Sequence, residues 1–225
     1  NVSHEMKTPL QVISGYAELM KNDMVQPSDR QKFAALIYDE AQTMRSLIND
    51  VLTLSKLDES AFENDGATAI NLYAVAQRVA GRLSSFADDQ GVRVRVEGAS
   101  ACIAGSETLA EEMLYNLIEN GIRYNHEGGL VTMKVGSECV EGGLANAAYQ
   151  TVVRVSDTGP GIPAELHDKV FERFFRVDKS RSKETGGTGL GLAIVKHAVM
   201  YHGGVIEVES AEGQGTTFVL RFPSA

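Results

Sequence analysis

The stretch Gly186-Gly187-Thr188-Gly189-Leu190-Gly191-Leu192 leads directly into the apolar residues 193–195. Glycines leave backbone N–H groups accessible, and the apolar run predicts a helix near residues 189–202, so a flexible turn meets a helix N-terminus. This combination predicts an anion site, although a glycine-rich turn can also be ordinary loop. Its spacing fits neither G-x-x-x-x-G-K-[ST] nor G-x-G-x-x-G, so the common P-loop and Rossmann assignments fail.

A second signal lies in the predicted helix from about Glu107 to Tyr124. Asn116 and Asn120 are one helical turn apart on the same face, and two amide oxygens there can bind Mg²⁺, which takes its remaining ligands from phosphates and water. Surface or capping asparagines are the ordinary alternative, but two poor helix formers in mid-helix need a reason. Arg123 and Tyr124 can supply a phosphate contact and an aromatic face, or be an ordinary surface arginine and core tyrosine.

A third signal is Asp157, which follows the β-branched predicted strand 150–156. It enters a turn in which Gly159 and Gly161 let backbone approach a ligand closely. A carboxylate at this point can accept a hydrogen bond from an exocyclic amine, which selects adenine over guanine. A structural aspartate at a strand end is the alternative.

The fourth signal is the N-terminal octet Ser3-His4-Glu5-Met6-Lys7-Thr8-Pro9-Leu10. His4 is predicted to point away from the apolar seam of its helix and toward water, where an imidazole can be phosphorylated. Glu5 can hold one ring nitrogen so that the other presents its lone pair for in-line attack. Thr8 lies one turn further on the same face. An ordinary solvated helix face is the alternative.

Apolar periodicity around this octet predicts a helical hairpin. The first seam predicts a helix over about residues 1–25 and consists of Met6, Leu10, Ile13, Ala17, Met20 and Met24. A second stripe predicts a helix from the Pro27-Ser28-Asp29 turn to about Asp58. Two helices bury only one side of such stripes, so we expect a dimeric four-helix bundle, with the surface of the second domain as the competing cover.

The polar stretch Glu59–Thr68 predicts an interdomain linker and the division into domains 1–60 and 61–225. In the second domain the patterns predict helices at 72–90, 107–124 and 189–202, and strands at 92–96, 130–136, 150–156, 204–210 and 216–222. This order predicts an α+β two-layer sandwich. Residues 136–150 are predicted to be a long hairpin connection.

Composition limits the function classes. The 225 residues have a formal net charge of -9, which disfavours a nucleic-acid-binding surface, so the basic run from Arg173 to Lys183 is better assigned to a small phosphate ligand. Cys102 and Cys139 form no disulfide framework, which fits a reducing compartment. No apolar run reaches the roughly 20 residues that span a bilayer, so we expect a cytoplasmic fragment, with any membrane anchor of the parent protein in a missing N-terminal part.

The four motifs, taken in their order along the chain, resemble those of bacterial sensor histidine kinases over nearly the whole chain. The octet is similar to the H box, residues 116–120 to the N box, Asp157-Thr158-Gly159-Pro160-Gly161-Ile162 to the G1 box, 171–176 to the F box and 186–192 to the G2 box. The resemblance implies a Bergerat ATP-binding sandwich. Two departures are Gly121 in place of the usual Ala and Asn125-His126 in place of a common Ser/Thr-Pro.

The resemblance also implies roles for individual residues. His4 is then the phosphoacceptor, Glu5 the base for autophosphorylation, and Thr8 the group that positions water for dephosphorylating a partner. Asn116 and Asn120 become Mg²⁺ ligands, while Arg176 and Lys179 become candidates for neutralising γ-phosphate charge within or beside a lid at 178–188. The implied ATP site comprises Asn116, Asn120, Arg123, Tyr124, Asp157, Gly159, Gly161, Ile162, Phe175, Arg176, Lys179, Thr188, Gly189, Leu190, Gly191, Leu192 and Thr216.

The function that this resemblance implies is an ATP-dependent protein-histidine kinase of two-component signalling. It uses ATP and Mg²⁺, passes the phosphoryl group to an aspartate of a response regulator, and has phosphatase activity toward that partner. A second copy of the chain is the other expected partner. Two rivals stay open: an ATP-hydrolysing conformational switch of the gyrase and MutL type, which carries a water-activating Glu where this chain has Asn116, and an ATP-regulated binding module.

Overall fold

The computed structural model describes residues 2–59, 68–140, 148–177 and 187–223, and side chains for 5–55, 68–138, 150–177 and 187–223. The chain begins with a helical hairpin of α1 (Val2–Lys21) and α2 (Arg30–Glu59), joined through a short 3₁₀ turn. The first helix ends earlier than the predicted residue 25. The reason is Asp23, whose left-handed φ of 54° turns the chain out of the helix.

The apolar stripes of the hairpin are covered only in part. Near the inter-helix turn, Tyr16 and Phe33 pack edge to face with ring centroids 5.2 Å apart. Further along α2, Leu47 and Leu54 are buried against the second part of the chain. Other apolar side chains of the hairpin remain at least 37% exposed in the single chain, namely Leu10, Leu19, Met24, Tyr38, Ile48 and Leu52. The predicted competing cover therefore exists, and it leaves much of the apolar surface open.

The second part of the chain is a two-layer α+β sandwich, as predicted. Its helices are α3 (Leu72–Arg82), α4 (Ser84–Asp89), α5 (Glu107–Arg123) and α6 (Gly191–Tyr201). Its strands are β1 (Thr68–Asn71), β2 (Arg93–Gly98), β3 (Cys102–Gly105), β4 (Leu130–Val140), β5 (Ala148–Asp157), β6 (Val205–Ser210) and β7 (Thr216–Pro223). The main sheet has the order β2-β4-β5-β7-β6, in which β2 and β4 are parallel and the other neighbours antiparallel.

The hydrophobic core lies between this sheet and the helices α3, α5 and α6. Alternate residues of the strands point into it, as period-two patterning requires. The largest side chains that this core buries completely are Leu72, Ile103, Met113, Leu114, Leu117, Ile118, Ile122, Met133, Leu220 and Phe222. The other face of the sheet carries cross-strand ion pairs, among them Arg154 with Glu138. The helices that carry the predicted site residues are thus held in place by packing on one face of the sheet.

Three details of the fold differ from the sequence-based expectations. The predicted helix over 72–90 is two helices, because the backbone at Leu83 (φ −92°, ψ 0°) leaves the helical range. A small antiparallel sheet of β1 and β3 was not predicted, since four-residue strands are too short for a periodic signal. Strands β4 and β5 pair as far as Val140 and Ala148, so the predicted connection is shorter than 136–150. The predicted linker segment 60–67 lies outside the described residues.

Within the described ranges, no helix combines the length and apolar character needed to cross a lipid bilayer.

His202 joins the C-terminal end of α6 to the start of α5. Its Nδ1 donates a hydrogen bond to the carbonyl of Ala198 at 2.7 Å, and its Nε2 accepts one from the backbone N–H of Ser106 at 3.2 Å. The ring is buried, and it also packs edge to face against Phe222. Burial lowers the pKa of His202 below the ordinary value of 6.5, so the ring is neutral in the folded chain.

This arrangement predicts a specific loss of stability in acid. The unfolded chain takes up a proton on this residue near pH 6.5 and the folded chain does so only at lower pH, so stability present above that pH is lost as the pH falls. The loss is at most about 1.4 kcal/mol per pH unit for one proton. We expect urea titrations between about pH 7.5 and 5 to show this loss in the wild type and a shallower pH dependence in His202→Gln. The exposed residue His126 supplies the control His126→Gln, which should follow the wild type; a His202→Gln profile parallel to the wild type would contradict the assignment.

Candidate functional site

A large cleft of about 1100 Å³ lies where α5, the end of β5 and the start of α6 meet. Its wall also includes Ser46, Asn49 and Asp50 of α2, so the helical hairpin closes one side. Most of the predicted site residues line it, namely Asn116, Asn120, Arg123, Tyr124, Asp157, Gly161, Ile162, Phe175, Arg176, Thr188, Gly189, Gly191, Leu192 and Thr216. Residues from the segments 116–120, 157–162, 171–176 and 186–192 therefore share one cavity.

Helix α5 brings its two asparagines against the first turn of α6. Ser106 caps the N-terminus of α5 by accepting a hydrogen bond from the backbone of Leu109. The Asn116 side-chain amide donates to the carbonyl of Glu112 at 2.9 Å, which directs its oxygen toward Gly191. A Cβ atom at Gly191 would lie 2.6 Å from Asn116 Oδ1 and 3.7 Å from Asn120 Nδ2. A side chain at position 191 would push the Asn116 amide aside, so glycine allows the turn to approach the two asparagines closely.

The donor set around the asparagines suits a hard cation. Asn116 Oδ1 is not used by its own helix, and the cleft wall beside it carries the carboxylates of Glu112 and Asp50. Burial raises the pKa of both carboxyl groups, and their mutual repulsion adds to the shift at Glu112. Nearby positive charge would relieve this cost. Among the described side chains no group of three or more His, Cys, Asp or Glu could hold a metal alone, so a cation here would depend on amide oxygens and on a bound ligand.

Asp157 is the last residue of β5, where it pairs with Val131 of β4 on one side and with Thr216 of β7 on the other. The backbone N–H groups of Gly159, at 2.8 Å, and Thr216 donate to its carboxylate. Burial nevertheless raises the pKa of Asp157, because desolvation of the carboxylate outweighs these two hydrogen bonds. A Cβ at Gly121 would lie 3.6 Å from Asp157 Cβ, so α5 passes close behind the carboxylate. The aspartate is an oriented, partly desolvated acceptor.

The turn after Asp157 is held by the glycine-rich segment before β7. Gly161 has φ of 75°, and a Cβ there would lie 2.0 Å from the carbonyl oxygen of Ala211. The next residue, Ile162, donates its backbone N–H to Ser210 Oγ at 2.8 Å. Gly161 is therefore required for a close backbone approach, and it places the Ile162 side chain at the cleft wall.

The segment 174–176 and the glycine-rich turn are bonded to each other. The backbone N–H of Phe174 donates to the carbonyl of Gly189 at 2.8 Å, and both residues have left-handed backbones, with φ of 66° and 71°. A left-handed phenylalanine is uncommon and requires support from its surroundings. A Cβ at Gly187 would lie 3.1 Å from the Tyr124 hydroxyl and 3.8 Å from Arg176 Nη2. The Tyr124 ring, the Arg176 guanidinium and the backbone of Gly187 thus lie together at one end of the cleft.

Arg123 lies on the cleft wall beside an acidic partner. Its Nη2 donates to Glu119 Oε1 at 2.7 Å, and its guanidinium carbon lies 5.5 Å from the ring centroid of Phe86. Both ends of the ion pair are about a quarter exposed. The predicted phosphate contact of Arg123 therefore competes with Glu119.

The hairpin and the sandwich meet at the glycine-rich turn. Thr188 Oγ1 donates to Asp50 Oδ2 on α2 at 2.7 Å, and burial raises the pKa of Asp50 even though this bond opposes the shift. Leu190 is fully buried and packs with α2 rather than lining the cleft. We define the interdomain cluster as Leu47, Leu54, Leu190, Ala193 and Ile194, with Met6, Val51 and Phe174 packed against it.

Among the other predicted residues that the structure describes, Gly159 is not part of the cleft lining and reaches the site only through its hydrogen bond to Asp157. Glu5 and Thr8 are exposed on α1. The backbone of His4 belongs to the first turn of α1, while its side chain and the whole of Lys179 lie outside the described part of the structure.

Several residues of the cleft wall were not predicted as site residues. They are Ser46, Asn49 and Asp50 on α2, and Glu112, Tyr115 and Glu119 on α5. Those on α5 lie on the same helix as the two asparagines, so the helical repeat accounts for their position beside the cleft. Asp50 carries no local signal, because only the packing of α2 on the second domain brings it to Thr188.

Comparisons with known proteins agree with this geometry. The family model "Histidine kinase-, DNA gyrase B-, and HSP90-like ATPase" matches residues 105–225, and the model "His Kinase A (phospho-acceptor) domain" matches residues 1–60. The chain is 34% identical over 225 residues to the sensor-like histidine kinase SenX3 of Mycobacterium tuberculosis, covering 100% of this chain and 52% of that protein. It thus spans about half the length of this curated relative.

Two solved structures have similar folds. Full-length ShkA in complex with AMPPNP superposes with a TM-score of 0.69 at 29% identity, covering 99% of this chain and 44% of that chain. The histidine kinase ThkA in complex with the response regulator protein TrrA gives a TM-score of 0.66 at 23% identity, covering 100% of this chain and 60% of that chain. This second likeness concerns the fold alone. With a phospho-acceptor hairpin followed by the matched ATPase sandwich, the chain belongs to the sensor histidine kinase family.

Proposed function

We propose that this chain binds Mg·ATP in the cleft, transfers the γ-phosphoryl group to His4, and then passes it to an aspartate of a response regulator receiver domain. The observation that carries the proposal is the convergence of Asn116, Asn120, Asp157 and the glycine-rich turn on one cavity that the phospho-acceptor hairpin also borders. The predicted division into domains 1–60 and 61–225 is part of the same proposal.

In this proposal each part of the cleft has one task. Asp157 accepts a hydrogen bond from the exocyclic amine of adenine, and the backbone N–H groups of the turn at 187–191 bind phosphate oxygens. Asn116 and Asn120 hold a magnesium ion, which when bound neutralises phosphate charge. Arg176 lies at the same end as Gly187, where it can neutralise charge that develops during transfer.

The transfer itself is a nucleophilic displacement at phosphorus. A ring nitrogen of His4 forms the new N–P bond as the bond between the β–γ bridging oxygen and the γ-phosphorus breaks, and ADP leaves. Glu5, which is exposed beside His4, takes the ring proton and keeps the imidazole in the reactive tautomer. Position 116 favours transfer over hydrolysis, because an asparagine there cannot activate water as a base.

The partner classes follow from the hairpin. The exposed apolar side chains of α1 and α2 support a homodimer in which two hairpins form a four-helix bundle. A response regulator is the partner named for ThkA in the complex with TrrA, and we propose the same class of partner here.

Incubation of the wild-type chain with Mg²⁺ and γ-labelled ATP tests the proposal. We expect a protein label that is stable in base and lost in acid, as a phosphoramidate is, and peptide mass spectrometry should locate it on His4. ATP hydrolysis without any protein label would instead indicate the gyrase-type conformational switch. Nucleotide binding without hydrolysis or label would indicate a regulated binding module.

Thr8 provides a separate prediction about the reverse reaction. It is exposed on α1, where its hydroxyl can orient a water for attack on an aspartyl phosphate bound to the hairpin. We expect Thr8→Ala to label itself at the wild-type rate and to dephosphorylate a phosphorylated receiver domain about 100-fold more slowly, the low end of the usual contribution of a positioned proton-transfer group. Thr43→Ala on α2 is the control, since among the residues that the structure describes the Thr43 hydroxyl bonds only within its own helix, to the carbonyl of Asp39. Equal phosphatase rates in Thr8→Ala and the wild type would remove this role.

A further inference from the structure

Asn125 lies two residues beyond Arg123, the last residue of α5, and its side-chain amide makes four hydrogen bonds. The Nδ2 group donates to the carbonyl oxygens of Gly121 at 3.1 Å and Leu130 at 3.3 Å. The Oδ1 atom accepts from the hydroxyl of Thr158 at 3.1 Å and from the backbone N–H of His126 at 3.0 Å. The side chain is partly buried at the wall of the cleft.

These four bonds use the whole hydrogen-bonding capacity of a primary amide. An asparagine side chain has two N–H donors and two acceptor lone pairs, and each of them has a protein partner here. Asn125 therefore has nothing left to offer a ligand. Its place at the cleft wall indicates that it acts through its neighbours.

The four partners lie in α5, in the loop after it, at the start of β4 and in the turn after Asp157. Gly121 is in the last turns of α5, next to Asn120 and one turn before Tyr124, while Leu130 begins β4. Thr158 follows Asp157, and its hydroxyl also accepts from the backbone N–H of Leu130 at 3.0 Å. One amide thus ties the helix with the asparagines to the turn with the aspartate.

The chain leaves a fitted space for this amide. A Cβ atom at Gly129 would lie 2.2 Å from Asn125 Oδ1, 2.5 Å from its Cγ and 2.8 Å from the backbone carbonyl oxygen of His126. The backbone of Gly129 is not in the left-handed region, so an alanine there is excluded by the contact and not by its own conformation. Gly129 and Asn125 form one packed unit.

We propose that Asn125 is a positioning residue that sets the distance between α5 and the Asp157 turn, and thereby the fit of adenine. The inference rests on the proposed function, because it presumes that Asp157 receives the adenine amine. A shift of this turn would misalign the one group that distinguishes adenine from guanine, while the phosphate-binding turn at 187–191 has no bond to Asn125 among the described residues.

Asn125→Asp tests the proposal at constant side-chain shape. A carboxylate oxygen replaces Nδ2 and faces the carbonyl oxygens of Gly121 and Leu130, so both donor bonds are lost. We expect ATP affinity to fall about tenfold, and the preference for ATP over GTP to narrow. The measurement is displacement of trinitrophenyl-ATP by ATP and by GTP, at a temperature at which circular dichroism shows each protein folded.

Gly129→Ala is the second variant, since its methyl group displaces the Asn125 amide and the adjoining His126 carbonyl without changing Asn125 itself. It should reduce the preference for ATP over GTP in the same way. Gly136→Ala on β4 is its control, because a Cβ there meets no atom within 4 Å. If both Asn125→Asp and Gly129→Ala keep the wild-type preference for ATP over GTP, the inference is overturned. The proposed function still stands in that case, provided that the wild-type chain binds ATP. Equal losses of ATP and GTP affinity also overturn it, because they indicate a merely structural role. A wild-type chain that binds no ATP overturns the proposed function and this inference together.

Discussion

Asp157→Asn is expected to weaken ATP binding about 100-fold, which corresponds to about 2.7 kcal/mol. The backbone N–H groups of Gly159 and Thr216 both donate to the Asp157 carboxylate. An amide in the same place must turn its oxygen toward these donors, so its NH₂ group faces the ligand. The adenine amine then meets a donor instead of an acceptor, and a buried pair of donors costs the full desolvation of both groups.

Isothermal titration calorimetry with ATP and Mg²⁺ measures this loss. Asp168→Asn is a matched control, because Asp168 is exposed and lies outside the cleft lining. The Asp157→Asn side chain has the size of the original, so we expect the helical hairpin and the sandwich to stay folded by circular dichroism. Wild-type affinity in Asp157→Asn would refute the assignment of this residue to the base.

His4→Gln is expected to reduce the protein label from γ-labelled ATP to background while ATP binding stays at the wild-type level. Glutamine is a good helix former and suits the first turns of α1, so the hairpin should form. It has no nucleophilic ring nitrogen, so no phosphoramidate can form at this position. The nucleotide cleft is lined by α2, α5, α6 and the sheet and contains no residue of α1 among its described lining, which is why binding should persist.

Labelling followed on a gel, together with ATP titration of the same preparation, separates the two effects. His126→Gln is the control for a histidine substitution at an exposed position. A His4→Gln chain that still carries acid-labile label would place the phosphoryl group elsewhere and overturn the acceptor assignment. Asp157→Asn should lose both binding and label, so the two variants distinguish nucleotide recognition from phosphoryl acceptance.

The sequence predicts most of the fold because its signals are local and periodic. The seam from Met6 onward predicts the hairpin, and the strands at 130–136 and 150–156 follow from β-branched alternation. The clustering of three of the four motifs follows from their chemistry, since a phosphate turn, two amides and an acceptor carboxylate are parts of one nucleotide site. The structure then brings Asn116, Asp157 and Gly191 to one cleft.

What the sequence does not predict depends on contacts between distant segments. The left-handed backbone of Phe174 accompanies its hydrogen bond to the distant Gly189, and nothing in the run 171–176 signals it. The role of Asp50 requires the docking of α2 on the second domain. Asn125 was noticed only as a departure from a family pattern, because its four partners come from segments that meet only in the folded chain.

The hydrogen bond between Thr188 and Asp50 has a thermodynamic consequence. The glycine-rich turn is at once the proposed phosphate-binding segment and the surface on which the interdomain cluster is built. Where nucleotide and hairpin favour different shapes of this turn, each must weaken the other's hold by the same factor, since coupling free energy is reciprocal. A force that bends α2 away from Leu190 would then change the affinity of the cleft for nucleotide. Movement of the helix would in this way be read out as a change in the fraction of protein that holds nucleotide.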